Sequence, residues 1–147
     1  MYRSILVVSD GSPLSEKAVK AGLRIARDFG AKVTALNVQP PYQPPIAGEV
    51  PAAFLHNPTE YDKLVREAST KILDAIADAA SAAGVACETV TEFDHAIYKA
   101  IIRVAKAYRC DLIVMASHGH GGIKGLLLGS ETTKVLNHCQ IPVLVHR

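Results

Sequence analysis

The hydrophobic and polar positions along the 147-residue chain change period several times, and each change marks an element. Residues 4–9, SILVVS, form a β-branched run without polar alternation, the pattern of a strand covered on both faces, and they lead into the turn residues DGSP. Ser12 followed by Pro13 reads as a helix N-cap with proline at the first helical position, and Leu14, Ala18, Ala21, Ile25 and Phe29 then recur at helical spacing as far as Gly30. Residues 31–38, AKVTALNV, return to strand chemistry, so a β-α-β unit is complete within 38 residues. Residues 39–58 hold six of the eight prolines and predict a Pro-rich loop, either a functional lid or disordered chain. From Thr59 a long amphipathic helix is expected, with Leu64, Ala68, Ile72, Ala75, Ala79 and Ala83 on its apolar face and Gly84 at its end. A strand over 85–91 follows. Ile97, Ile101, Val104 and Tyr108 then mark a helix that Asp94 could cap. An apolar strand over 111–116, a short helix from Ser130 to His138 and a final strand over 141–147 complete the series.

This alternation predicts a single-domain α/β sandwich spanning 1–147, with a mostly parallel sheet and helices on both faces. In such folds ligands bind beyond the carboxyl ends of the strands, where strand order reverses. That directs attention to Ser9–Asp10, Val38–Gln39 and the residues from Ala116 onward.

Composition narrows the function classes. With 49% hydrophobic and 20% charged residues the chain is too apolar for a disordered protein, and a net charge of only +2 provides no basic stripe for nucleic acid or an anionic membrane. Cys87, Cys110 and Cys139 are odd in number and lack CxxC spacing, which fits small buried hydrophobes in a reducing compartment better than disulfides or zinc. The apolar run at the N-terminus is short for a signal sequence, and no segment approaches the ~18 apolar residues of a membrane span, so a cytoplasmic location is expected.

The chemistry concentrates in residues 116–133, ASHGHGGIKGLLLGSETT. Neither a G-x-x-x-x-G-K-[ST] loop nor a G-x-G-x-x-G turn is present. What remains is a strand, a glycine-rich loop and a helix opening at Gly129-Ser130, which would aim free backbone N–H groups at an anion. Gly129 would let a phosphate come close, the Ser130 hydroxyl could bond it, and Lys124 is the nearby cation. The same residues serve equally as turn glycines and a capping serine. Asp10 carries the same two readings, a ribose or metal-bound-phosphate contact against a local turn with Ser12. His118 and His120 have no Cys or acidic neighbour to complete a metal set, and loop hydrogen bonding suits them better. His95 reads as a local capping group and His138 as a helix-dipole partner. A triad of Ser130, a histidine and Asp10 lacks the G-x-S-x-G elbow.

The segments ILVVSDGSPLSEKAV and DLIVMASHGHGGIKGLLLGSETTKVLNHCQIPVLVHR, with the β-α spacing between them, resemble the universal stress protein family over essentially the full length. In its ATP-binding branch the loop reads G-x2-G-x9-G-[ST]; Gly119, nine residues and Gly129-Ser130 match the last two elements, and Ala116 stands in place of the first glycine. The resemblance implies a five-stranded parallel sheet of order 3-2-1-4-5 and a homodimer through the C-terminal strand. It also implies an adenine nucleotide as ligand, ATP or alternatively ADP or AMP, with Mg²⁺ entering only through the phosphates. Carried over by position, Asp10 contacts the ribose, the Val38 backbone the adenine, and Gly119, Gly129 and Ser130 the phosphates, with Ser9, Ala116, His120, Gly121 and Gly122 in the same site. No catalytic residue is implied; without a motif lysine, an arginine finger or a water-orienting base, turnover should be slow at most. Val8 and Ser9 replace the proline and threonine of some members, and EFDHAIYKAI lacks the Gly-x-Pro that often enters the third helix. The alternative reading is a nucleotide-free interaction module that signals through its dimer surface and residues 39–58, with Ala116 in its favour; a phosphohydrolase ranks third.

Overall fold

The apolar run near the start of the chain becomes β1 (Ser4–Val8), the middle strand of five. A computed structural model describes residues 1–46, 48, 57–122 and 127–147. After β1 come α1 (Pro13–Phe29), β2 (Lys32–Gln39), α2 (Pro58–Ala82), β3 (Cys87–Phe93), α3 (Ile97–Ala107), β4 (Leu112–Ala116), α4 (Ser130–His138) and β5 (Val143–His146). All four strand pairings are parallel and the order is β3-β2-β1-β4-β5, as the resemblance implied.

The strand pleat sends alternate residues to two cores. Ile5, Val7, Val33, Ala35, Leu112 and Val114 pack with α1 and α2, while Leu6, Leu36, Ile113 and Met115 pack with α3 and α4 on the other face. Register at the start of the sheet is fixed by Asp111, whose carboxylate accepts from the Arg3 N–H at 2.9 Å and the Ser4 N–H at 3.1 Å, and whose own N–H donates to the Ser4 carbonyl. Those bonds leave Asp111 outside β4, so the strand begins one residue later than its sequence suggests.

The caps explain most element boundaries. Ser12 caps α1 through its hydroxyl, which accepts from the Ser15 N–H at 3.2 Å, and Gly30 closes the helix in the left-handed region at φ 65°. Asn57-Pro58 repeats the Ser12-Pro13 device: the Asn57 side chain accepts from the Glu60 N–H at 2.8 Å, so α2 begins at Pro58 and the Pro-rich loop ends there. At its other end the loop gives up Gln39 to β2. Residues 47 and 49–56 of that loop lie outside the described residues. β3 starts two residues late because the Gly84 and Val85 N–H groups close α2 by bonding the Ser81 and Ala80 carbonyls.

Two expected helix faces need correction. The α2 stripe is rotated by one residue: Ser69, Leu73, Ile76 and Ala80 are buried, Ile72 and Ala83 are half-buried, and Leu64 is 51% exposed. An alanine-rich helix is weakly apolar all round, and its two bulkiest inward residues, Leu73 and Ile76, set the direction. In α1 the buried face is centred on Ala18, Val19, Gly22 and Leu23, so Leu14 and Ile25 flank it and Phe29 is exposed, edge-on to Tyr2 at 6.0 Å.

Candidate functional site

Because all strands run the same way, their carboxyl ends gather at one end of the sheet, and the order reverses between β1 and β4. A cavity of about 450 Å³ opens there, within the ~300–1,000 Å³ range of small-molecule sites. The sequence-predicted residues converge on it. Ser9 and Asp10 leave β1, Val38 lies near the end of β2, Ala116 ends β4, and Gly119, His120, Gly121, Gly122, Gly129 and Ser130 complete the rim. Lys124 lies outside the described residues.

Two of these glycines are required by space rather than by backbone conformation. A Cβ at Gly119 would stand 2.5 Å from the Asp10 Oδ2, and one at Gly129 would stand 3.0 Å from the Ser117 carbonyl oxygen. Neither has a positive φ. The Gly129 N–H also donates to that carbonyl at 2.6 Å, which pins the start of α4 to the end of β4. Thr132 reinforces the joint by donating its hydroxyl to the Ala116 carbonyl at 2.9 Å.

Gly129 is the N-cap of α4, with extended backbone and no side chain bonding the first turn. Ser130 is therefore the first helical residue and not the cap that one sequence reading allowed. The uncapped first turn turns its N–H groups and the positive helix end outward, an arrangement suited to an anion. Ala116 has an ordinary negative φ, and its methyl belongs to the buried cluster under α1 and α2.

Asp10 makes the local turn the sequence offered and a second bond that the sequence did not suggest. Its Oδ1 accepts from the Ser12 N–H at 2.9 Å, the expected local turn, while its Oδ2 reaches across to the His120 N–H at 2.9 Å. Burial pushes its carboxyl pKa up, but bonds from Ser12, the His120 amide and Ser15 outweigh burial and hold it below the ordinary carboxylate value. A depressed folded pKa adds stability that is complete above the unfolded value and is lost as pH falls through the folded one. Asp10→Asn should therefore melt below the parent protein at neutral pH, with the gap closing as the pH falls below the ordinary carboxylate range. Thermal melts across that range check this, and a constant gap would show that the fold does not hold the charge.

Two further histidines bond locally and a third bonds across the fold. The Ser117 hydroxyl bonds His118 Nδ1 at 2.9 Å, His138 Nδ1–H donates to the Lys134 carbonyl at 2.8 Å at the end of α4, and His95 meets the Gln43 amide at 3.2 Å rather than capping α3. Asp94 accepts from the Ala96 N–H at 2.8 Å just ahead of α3.

Sequence reasoning missed part of the wall. Ile97 and Ile101 were read only as marking a helix, yet with Val8 and Met115 they face the cavity. Glu131 also lines it and accepts from the Tyr98 N–H at 3.0 Å, so α4 supplies α3 with a cap that α3 lacks. Its place in the first turn of a helix opening on the glycine loop was the available signal.

The family model described as the universal stress protein family matches residues 1–147. The chain belongs to this family. A universal stress protein of Bacillus subtilis, YxiE, is 30% identical over 149 residues, with each chain fully covered. The universal stress protein UspA from Lactobacillus plantarum superposes with a TM-score of 0.78 at 23% identity, covering 99% of this chain and 98% of that one, a likeness of fold. A universal stress protein solved in complex with cAMP gives a TM-score of 0.71 at 26% identity, covering 99% of this chain and 97% of its own. Among the described residues of this universal stress protein, no helix is long and apolar enough to cross a membrane.

Proposed function

We propose that this universal stress protein binds an adenine nucleotide in the cleft between β1 and β4 and signals through its occupancy. The observation that carries the reading is the cradle at Gly119 and Gly129, where a Cβ would strike Asp10 and Ser117, beside the uncapped first turn of α4. Phosphate oxygens would take the N–H groups there and the Ser130 hydroxyl. Val38, Ile97 and Ile101 offer an apolar surface for the base next to the Val38 backbone. Asp10, with two oxygens each accepting one bond, keeps lone pairs for ribose hydroxyls. The complex of a relative with cAMP supports an adenine ligand of this general shape.

A few charge-assisted bonds of about 1.5–3 kcal/mol each, set against the cost of ordering the ligand, correspond to roughly micromolar affinity. Mg²⁺ would enter with the phosphates. We further propose a homodimer through β5, the edge strand, which is only half-buried in the single chain.

Mass spectrometry of small molecules released from the denatured, purified protein, with calorimetric titration of ATP, ADP and AMP, tests the ligand. Absence of both co-purified nucleotide and measurable binding would favour a nucleotide-free interaction module. That alternative leaned on Ala116, whose methyl is packed into the core. Ala116→Gly should therefore keep the affinity within about twofold while lowering the melting temperature, since glycine in a strand costs about 0.5–1 kcal/mol. A clear loss of binding in that variant would show that the Ala116 methyl shapes the site.

A further inference from the structure

Asp10 and His120 are 110 residues apart in sequence yet joined twice. The His120 N–H donates to the Asp10 Oδ2 at 2.9 Å, and the His120 ring Nε2–H donates to the Asp10 backbone carbonyl at 3.0 Å. The second bond requires the proton on Nε2, because a carbonyl can only accept. Together they form a closed clasp between the turn after β1 and the glycine loop after β4.

The parts of the clasp are fixed from both sides. On the β1 side, the Ser12 N–H holds Asp10 Oδ1, and the Gly11 N–H donates to the Ser9 hydroxyl at 3.1 Å. Ile72 of α2 packs against Gly11, where an added Cβ would stand 3.0 Å from its Cδ1. On the loop side, the Gly122 N–H donates to the Gly119 carbonyl at 3.2 Å, so residues 119–122 form one turn. Gly119 lies so close to Asp10 Oδ2 that no side chain fits between them. The loop is thus seated on the β1 turn by His120, and its seat fixes where the Gly119 end of the phosphate cradle stands.

We propose that His120 is a positioning residue for phosphate: its ring clasps the glycine loop onto Asp10 and holds the loop in the geometry that a nucleotide's phosphate group meets. This rests on the nucleotide reading above and adds a division of labour to it. The ring itself is spent on the Asp10 carbonyl, so its contribution passes through the loop backbone. Ligands with a phosphate depend on the clasp, and the nucleoside alone does not.

The experiment is calorimetric titration of the full-length protein with adenosine, AMP and Mg²⁺-ATP, for the parent, His120→Ala and His120→Gln. Glutamine can place an N–H donor near the position of Nε2. One lost hydrogen bond corresponds to roughly a three- to tenfold weakening, expected for AMP and ATP in His120→Ala, with adenosine unchanged and His120→Gln restored to within about twofold. Equal weakening for all three ligands, no weakening, or failure of glutamine to restore affinity would overturn the proposal. Hydrogen exchange in the ligand-free protein gives a second measurement: the amide of residue 120 should exchange several-fold faster in His120→Ala and at the parent rate in His120→Gln. Unchanged exchange in His120→Ala would overturn the clasp even where nucleotide binds. A parent protein that bound none of the three ligands would overturn the nucleotide reading and the phosphate role with it, while exchange would still decide the clasp.

Discussion

Gly129→Val is expected to weaken adenine-nucleotide binding at least a hundredfold while the protein stays folded. The added Cβ stands 3.0 Å from the Ser117 carbonyl oxygen and 3.5 Å from the His118 Cα, both backbone atoms that cannot rotate away. The branched side chain crowds the joint between β4 and α4, so the start of α4 must give way by a few tenths of an ångström or more, and the N–H groups of its first turn move with it. Losing two bonds to charged oxygens, each worth about 1.5–3 kcal/mol, corresponds to at least two decades of affinity. The rest of α4 remains anchored through Val135, which is fully buried against the α3 side of the sheet, and so the cooperative melt should persist. Calorimetry and a thermal melt read the two halves of the prediction, and parent-like affinity would remove the phosphate role from Gly129.

Gly22→Val should destabilise the fold without touching the cleft. Gly22 faces the sheet from the middle of α1, and a Cβ there would lie 2.6 Å from the Val7 Cγ1 and 3.5 Å from the Val114 Cβ. Both neighbours are β-branched residues on the two central strands, with one preferred rotamer each and buried surroundings. Helix α1 must therefore lift from β1 and β4. Overpacking costs about 1–3 kcal/mol for added methylenes, and the gain from removing a helical glycine, about 0.5–1 kcal/mol, offsets only part of it. A drop of several degrees in melting temperature is expected, since about 1 kcal/mol shifts the midpoint of a chain this size by roughly 2–6 °C. A melting temperature at or above the parent value would show that α1 has room to move.

The strands and the position of the candidate cleft were readable because each left a local mark. β1 and β4 are unbroken apolar runs, and the site residues lie where those runs stop, so placing them needed only the rule that parallel strands end together. The helix faces were less legible. In α2, Ala68, Ala75, Ala79 and Ala83 give no direction by size, and the inward positions include Ser69, whose hydroxyl bonds Thr91 at 2.7 Å and is buried for that reason. A serine that finds a partner across the core is indistinguishable in sequence from one facing water. Asn57-Pro58 carried the same start signal as Ser12-Pro13 but was hidden by the prolines before it. The Asp10–His120 bonds and the reach of Glu131 to the Tyr98 N–H have no period or spacing, since they join segments that meet only through the topology of the sheet.

That topology also sets when the cleft comes into existence. As the chain leaves the ribosome, β1 can pair with β2 long before β4 has been made, and for that interval Asp10 has Ser12 to bond but no residue 120. The wall that Ala116, Gly119, Gly129 and Ser130 supply is synthesised after β1, α1 and β2, so the nascent protein carries half a cleft until α4 has emerged. A chain that stops short of β4 has the β1 side of the cleft alone, with Ser9 and Asp10 at its edge and no glycine loop opposite them.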